Sequence, residues 1–327
     1  MPAQFQRLLA LQHRACGFGE LQRTVLGKVG VQHAGRDELA LHVLIALRPR
    51  VIYEVLFGAA SATLTEFGAN PRWLGGKLAF SLVLHTWKQD LGRHVHVHAL
   101  VAGGALTPEG EWKLPKRRFL FPVRALSTVF RGKFIAALSE PRGSGRPLVA
   151  ELADEKVWRA LRQQLLVYDW VVYAKQPLGG PEQVLEYLGR YTHRVAISNE
   201  RLVGMDETTV RFRVRATPGK RVLSVPAEEF IDRFLLHVLP SGFKRIRHYG
   251  LLAPAAKATR LALARQALSV PPPDPVIKAT VEDFLQRVDR AQWARCPHCH
   301  EGRFVPTAVI PPLSQATPQN ASVRGPP

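Results

Sequence analysis

Three histidines alternate with small apolar residues in Arg93-His94-Val95-His96-Val97-His98-Ala99. A period of two is the signature of a strand. It places His94, His96 and His98 on one face and Val95, Val97 and Ala99 on the other. A strand with solvated histidines is one outcome of this pattern. A metal site is the other, because neutral imidazole is a common ligand for transition metals. A pair of these histidines needs a third donor from elsewhere. Gln89 and Asp90 stand just upstream, where an oxygen ligand would suit Mg²⁺ or Mn²⁺.

A second group of chemically capable residues lies in Tyr187-Leu188-Gly189-Arg190-Tyr191. Positions four apart share one face of a helix, so both phenols point the same way. Two core aromatics would show the same spacing. The neighbours are cationic, however: Lys175, Arg190, His193 and Arg194. A phenol has an unperturbed pKa of about 10 and needs such help, or a metal, to act as a nucleophile.

The elements that must position these residues read as follows. Val51 to Phe67 suits an amphipathic helix. Lys77 to Trp87 reads as a strand, and a short connection leads into the histidine strand, which ends near Val101. Two strands so close in sequence predict an antiparallel pair. Helices are expected from Val123 to Leu138 and from Ala153 to Gln164, with a strand from Leu165 to Ala174. Pro181 and Glu182 open a helix that carries both tyrosines. A strand from Val195 to Ser198 follows. Residues 201–225 read as small antiparallel strands, with Val210, Phe212 and Val214 alternating with Arg211, Arg213 and Arg215. Ala227 to Leu239 and Ala255 to Leu268 are helical patterns. Between them, Phe243 to Tyr249 interleaves Lys244, Arg245 and Arg247 with aromatics. Residues 1–50 show helical patches broken by glycines and no clear strand.

The formal net charge is +19 over 327 residues. That excess points to a polyanionic partner, first of all nucleic acid, with an anionic membrane surface as the alternative. The arginine face at Arg211, Arg213 and Arg215 and the run Lys244, Arg245 and Arg247 are candidate phosphate contacts. Phe243 and Tyr249 could stack on bases of a single strand. No run of apolar residues is long enough for a membrane span. Three cysteines form no disulfide framework and fit a reducing cytoplasm, and no secretion signal is expected from the first residues. Cys296 and Cys299 make one Cys-x-x-Cys, half of a zinc ribbon. His298, His300 or a second chain could complete it, and two free cysteines are the alternative.

A His-hydrophobic-His strand followed by a Tyr-x-x-x-Tyr helix resembles the HUH endonucleases with two tyrosines. The similarity is closer to the rolling-circle transposases of the insertion sequence 91 family. It covers roughly residues 51–252 and includes Leu84-His85-Thr86-Trp87, Arg118-Phe119-Leu120-Phe121-Pro122-Val123, Phe130-Arg131-Gly132-Lys133-Phe134, Tyr187 through Asn199, and Gly242 through Leu252. The resemblance implies an α+β fold with a central antiparallel sheet flanked by helices and a mostly helical basic C-terminal region. It implies that His96 and His98 hold a divalent cation, with Gln89 as a candidate third ligand. Tyr187 or Tyr191 would attack a phosphate of single-stranded DNA, leaving a 5′-phosphotyrosine and a free 3′-OH. Lys175, Arg190 and Arg194 would contact the DNA beside them. The setting would be the bacterial cytoplasm, at the nucleoid. A replication initiator or relaxase with the same chemistry, and a non-catalytic DNA-binding remnant, are the other readings.

Members of that family begin with a cysteine-rich zinc domain and a first sheet strand. Residues 1–50 match neither, so the expectation is an N-terminally truncated or altered copy whose sheet lacks one strand and has an exposed edge. The expected organisation is then an atypical segment 1–50, a catalytic domain 51–200, a basic hairpin with helices over 201–270, and a Pro-rich linker, helix, Cys-x-x-Cys and tail over 271–327.

Overall fold

The computed structural model describes residues 25–30, 39–116, 119–143, 150–167, 170–174, 182–184, 189, 196–215, 219–272, 296 and 298–302. It divides into two units, Met1–Pro273 and Asp274–Pro327. The architecture is α+β, as the resemblance implied.

The first unit is built on an antiparallel sheet. Its strands are β1 (Val25–Gly30), β2 (Lys77–Trp87), β3 (Arg93–Leu106), β4 (Trp112–Lys113), β5 (Val171–Ala174) and β9 (Ile246–Gly250). The order is β5-β1-β3-β2-β9, with β4 pairing β3. β3 therefore lies in the middle, and β2 pairs it with His85 opposite His96 and Val83 opposite His98.

Helices α1 (Leu39–Leu47), α2 (Pro49–Ala69), α3 (Val123–Gly143) and α4 (Glu155–Val167) accompany this sheet. Pro49 begins α2, where its missing N–H costs no hydrogen bond. Ile52, Leu56, Phe57, Ala60, Leu64 and Phe67 then recur at helical spacing and are buried. They share one core with Phe80, Leu82, Leu84, Val95, Val97 and Ala99 of the sheet, and with Phe130 and Phe134 of α3. Fully burying each such side chain stabilises the fold by about 1.5–3 kcal/mol. This core holds the apolar face of the histidine strand and so fixes the opposite face for the imidazoles.

Three expectations change. The sheet does not lack the strand sought in residues 1–50: β1 fills the place between β3 and β5, pairing with both. The expected strand from Leu165 is shorter and later. Trp158, Leu161 and Leu165 are the buried residues of α4, a helical spacing that carries the helix to Val167 and leaves only Val171–Ala174 extended. Residues 196–198 form no strand, since Ala196 has φ +50, which breaks an extended ladder.

A second, smaller sheet comprises β6 (Leu202–Met205), β7 (Thr209–Arg215) and β8 (Lys220–Pro226), followed by α5 (Ala227–Leu235). Phe212, Val214 and Val225 form its core with Leu91, and Phe230 and Phe234 of α5 pack against them. Arg211, Arg213 and Arg215 occupy the alternate, exposed positions of β7. Helix α6 (Lys257–Ala267) follows β9. Among the described residues no helix is long and apolar enough to cross a membrane.

Candidate metal centre and its surroundings

Three imidazoles converge on the β2–β3 hairpin. Donor nitrogens of His85, His96 and His98 all lie within 4.8 Å of one another. His96 Nε2 stands 2.9 Å from His98 Nε2 and 3.2 Å from His85 Nδ1. With metal–nitrogen bonds of about 2.1 Å, adjacent ligands of one ion stand about 3.0–3.4 Å apart, and the two spacings from His96 match that separation.

The tautomer of His96 is fixed from outside the cluster. Its Nδ1 lies 3.1 Å from the carbonyl oxygen of His94. A carbonyl can only accept, so Nδ1 carries the proton and Nε2 presents its lone pair to the other two rings. His94 thus orients its neighbour through its backbone, while its own ring stays outside the cluster of three. His98 and His96 are 1% and 4% exposed, and His85 is half-buried. His85 was not among the ligands expected from sequence. The signal was present nonetheless: the hairpin register sets it directly across from His96. Gln89, the expected third ligand, lies exposed in the turn beyond β2. The third nitrogen beside His96 is that of His85.

The turn joining β2 to β3 is held at three successive carbonyls. Arg201 Nη2 donates to Gln89 O, Arg233 Nη1 to Asp90 O at 2.9 Å, and His237 Nε2 to Leu91 O at 2.8 Å. Leu91 is fully buried with φ +65, a conformation that few leucines adopt. It is wedged into the core of the small sheet. Thr86 Oγ1 completes the arrangement, 3.2 Å from His237 Nδ1. Burial pushes the His237 imidazole below its ordinary pKa, against the opposing pull of the Leu91 carbonyl. His237 is therefore neutral, with Nε2–H donating to Leu91 and Nδ1 accepting from Thr86. The small sheet and α5 thereby grip the hairpin that carries His85 and His96.

The other expected site residues divide into three groups. Tyr187, Tyr191, Lys175, Arg190 and Arg194 lie outside the described residues; nearby Glu182, Gln183 and Val184 are helical. Arg211, Arg213 and Arg215 are exposed, and Arg213 donates one bond to Glu200 O at 3.2 Å. In the run 244–247, only Lys244 is exposed. Arg245 donates to Leu84 O and lies 4.8 Å over the Trp87 ring. Arg247 makes a bidentate pair with Glu54, both bonds 2.6 Å, and lies 4.3 Å over Phe57. Phe243 packs edge-on against Tyr53, and Tyr249 stacks on Phe80. Both half-buried rings thus have partners within the fold, Tyr249 through the pairing of β9 with β2.

In the second unit, the Cys-x-x-Cys segment closes a tight loop. Cys296 N–H donates to Gly302 O at 2.6 Å, and His300 N–H to Cys296 O at 2.9 Å. The Gly302 N–H points at Cys299 Sγ from 3.3 Å. The backbone N–H groups of Gly302 and Glu301, and then the Cys296 thiol, hold the Cys299 thiol below its usual pKa.

Residues 79–260 match the family model Y2_Tnp, described as "Putative transposase". The matched segment contains β2 from residue 79 onward, all of β3, and both Tyr187 and Tyr191. The chain belongs to this transposase family. It is 40% identical over 271 residues to "Putative transposase y4qJ" of Sinorhizobium fredii (strain NBRC 101917 / NGR234), covering 80% of this chain and 68% of that one. It is 26% identical over 275 residues to the transposase for insertion sequence element IS801 of Pseudomonas savastanoi pv. phaseolicola, covering 81% of this chain and 64% of the relative. The transposase thus spans about two thirds of the length of these relatives. Among solved structures it is similar to the conjugative relaxase TrwC in complex with oriT DNA. Its metal-bound and copper-bound forms are 14% and 13% identical, cover 82% and 83% of this chain and 82% of the relaxase, and both have a TM-score of 0.31. That score is too low to bear on the fold.

Proposed function

We propose that this transposase nicks single-stranded DNA with a tyrosine nucleophile beside a divalent metal held by His85, His96 and His98, and passes the strand to a new partner. The three-imidazole cluster, inside the segment that matches the transposase family, is the observation that carries this reading. Three nitrogen donors favour a divalent transition ion over Mg²⁺, whose preference is for oxygen. The ion, when bound, polarises the scissile phosphate and neutralises charge that develops on it.

The protein's own residues supply the rest. The Tyr187 or Tyr191 phenol gives its proton to solvent, its oxygen forms a bond to phosphorus as the bond to the 3′ oxygen breaks, and that oxygen takes a proton from water and leaves as a 3′-OH. The 5′-phosphotyrosine keeps the energy of the phosphodiester, so a 3′-OH from another strand can attack it and release the tyrosine. A second tyrosine lets a second strand be cut while the first is still attached. Lys175, Arg190 and Arg194 lie near the tyrosines in sequence, and their charge favours the phenolate. Arg211, Arg213, Arg215 and Lys244, exposed on the first unit, contact DNA phosphates. The working place is the bacterial nucleoid, where the DNA lies.

The test is a cleavage assay on single-stranded oligonucleotides with Mn²⁺ or Mg²⁺. The expected product is a covalent protein–DNA adduct through the 5′-phosphate of the fragment 3′ of the nick. It should vanish in the Tyr187→Phe, Tyr191→Phe double variant and in His96→Ala. DNA binding with no adduct from the unaltered protein would sink this reading in favour of the binding remnant.

A further inference from the structure

We propose that Cys296 and Cys299 are half of a zinc site completed by a second copy of this chain, so that four thiolates from two chains hold one Zn²⁺. The inference does not depend on the nicking chemistry and involves no residue of the histidine cluster.

The loop is already shaped for metal. Two backbone bonds, Cys296 N–H to Gly302 O and His300 N–H to Cys296 O, hold Cys296 against residues 300 and 302. His300 takes φ +59, a conformation that a non-glycine residue adopts only when the turn imposes it. A methyl group at Gly302 would stand 3.4 Å from Cys299 Sγ and 3.6 Å from Cys296 Cβ. Both cysteines therefore border the same side of the loop, beside Gly302. The Gly302 N–H aimed at Cys299 Sγ is the kind of outer hydrogen bond that orients a metal ligand and balances its negative charge.

The two remaining donors come, in this proposal, from a partner copy. From Asp274 to Pro327 the only cysteines and histidines are Cys296, His298, Cys299 and His300. Both imidazoles are exposed, and the only group of three metal-binding side chains among the described residues is His85, His96 and His98. Among the described residues, neither His298 nor His300 is grouped with the thiol pair. A structural zinc takes four ligands in a tetrahedron. A second Cys-x-x-Cys related by a two-fold axis supplies a matching pair, which makes the site self-complementary. Four thiols lose their protons as the ion binds, so assembly releases protons to solvent.

Co²⁺ replaces zinc in such sites and reports thiolate ligation by an intense sulfur-to-metal charge-transfer band. The full-length chain is titrated with Co²⁺ while its mass is followed by sedimentation. The His85→Ala variant removes the competing histidine cluster. The expected result is a charge-transfer band that saturates at one Co²⁺ per two chains, with the mass of a dimer. A chelator or Cys299→Ser should abolish both, while the circular dichroism spectrum stays unchanged. A band saturating at one ion per chain with a monomer mass would overturn the proposal in favour of a site closed within one chain. The absence of any thiolate band would overturn it in favour of free cysteines.

Discussion

The grip on the β2–β3 turn gives a sharp prediction for His237→Ala. His237 is 3% exposed and is the shared partner of the Leu91 carbonyl and the Thr86 hydroxyl, both buried. Removing the imidazole leaves two buried polar groups without that partner and opens a cavity. Each such group costs about 1–3 kcal/mol, and the hydroxyl can rotate toward another acceptor, so the loss is expected at about 2–4 kcal/mol. The effect should be local, since Arg201 and Arg233 still hold the neighbouring carbonyls. Hydrogen exchange at residues 88–92 should speed up by about 30-fold for each 2 kcal/mol of lost local stability. Because the turn sets the register that places His85 across from His96, metal affinity should fall about 10- to 100-fold, the range seen when supports of a metal ligand are removed. Calorimetric titration with Mn²⁺ measures that fall. The pH dependence offers a second check. Burial lowers the His237 pKa, so below about pH 6.5 the unfolded chain binds a proton that the folded chain refuses. Its contribution to stability is whole above that pH and declines as pH falls toward the folded value. Urea melts at pH 5.5 and 7.5 should therefore differ less in His237→Ala than in the parent protein. His248, also lowered chiefly by burial, retains its share of the dependence. Unchanged exchange at the turn together with unchanged metal affinity would refute the idea that this histidine positions the site.

Further outcomes follow from the same geometry. His85→Ala should weaken Mn²⁺ binding by at least about 10-fold, while Gln89→Ala changes it by less than about twofold; equal losses in a calorimetric titration would restore Gln89 as the ligand. Gly250→Ala should unfold the pairing of β9 with β2, because the new Cβ would stand 1.8 Å from the Leu78 carbonyl oxygen at φ +62. A loss above about 4 kcal/mol in urea titration is expected, and a loss below about 1 kcal/mol would contradict this strand geometry. The triple change of Arg211, Arg213 and Arg215 to Ala should flatten the salt dependence of single-strand binding by about 0.7 per lost phosphate contact. Arg247→Ala should instead lower the melting temperature, because it strips Glu54 of its bidentate partner.

The period-two histidine pattern, the β2–β3 pair, helix α2 and the arginine face of β7 were all legible from spacing alone. Each is a local rule: alternation makes a strand, and a 3.6-residue recurrence makes a helix. The fates of Arg245, Arg247, Phe243 and Tyr249 were not legible. A basic and aromatic run reads the same whether it meets DNA or a neighbouring strand, and only the pairing of β9 with β2 gave these side chains partners within the fold. The place of β1 was hidden for the same reason, since a short glycine-flanked segment becomes a strand when two partners lie on either side of it. The metal centre falls between these cases. Sequence alone determined that His96 and His98 share one face of a strand. Tertiary structure alone placed a nitrogen of His85 beside those of His96 and His98, because cross-strand register and a clamped hairpin bring together residues that no local periodicity connects.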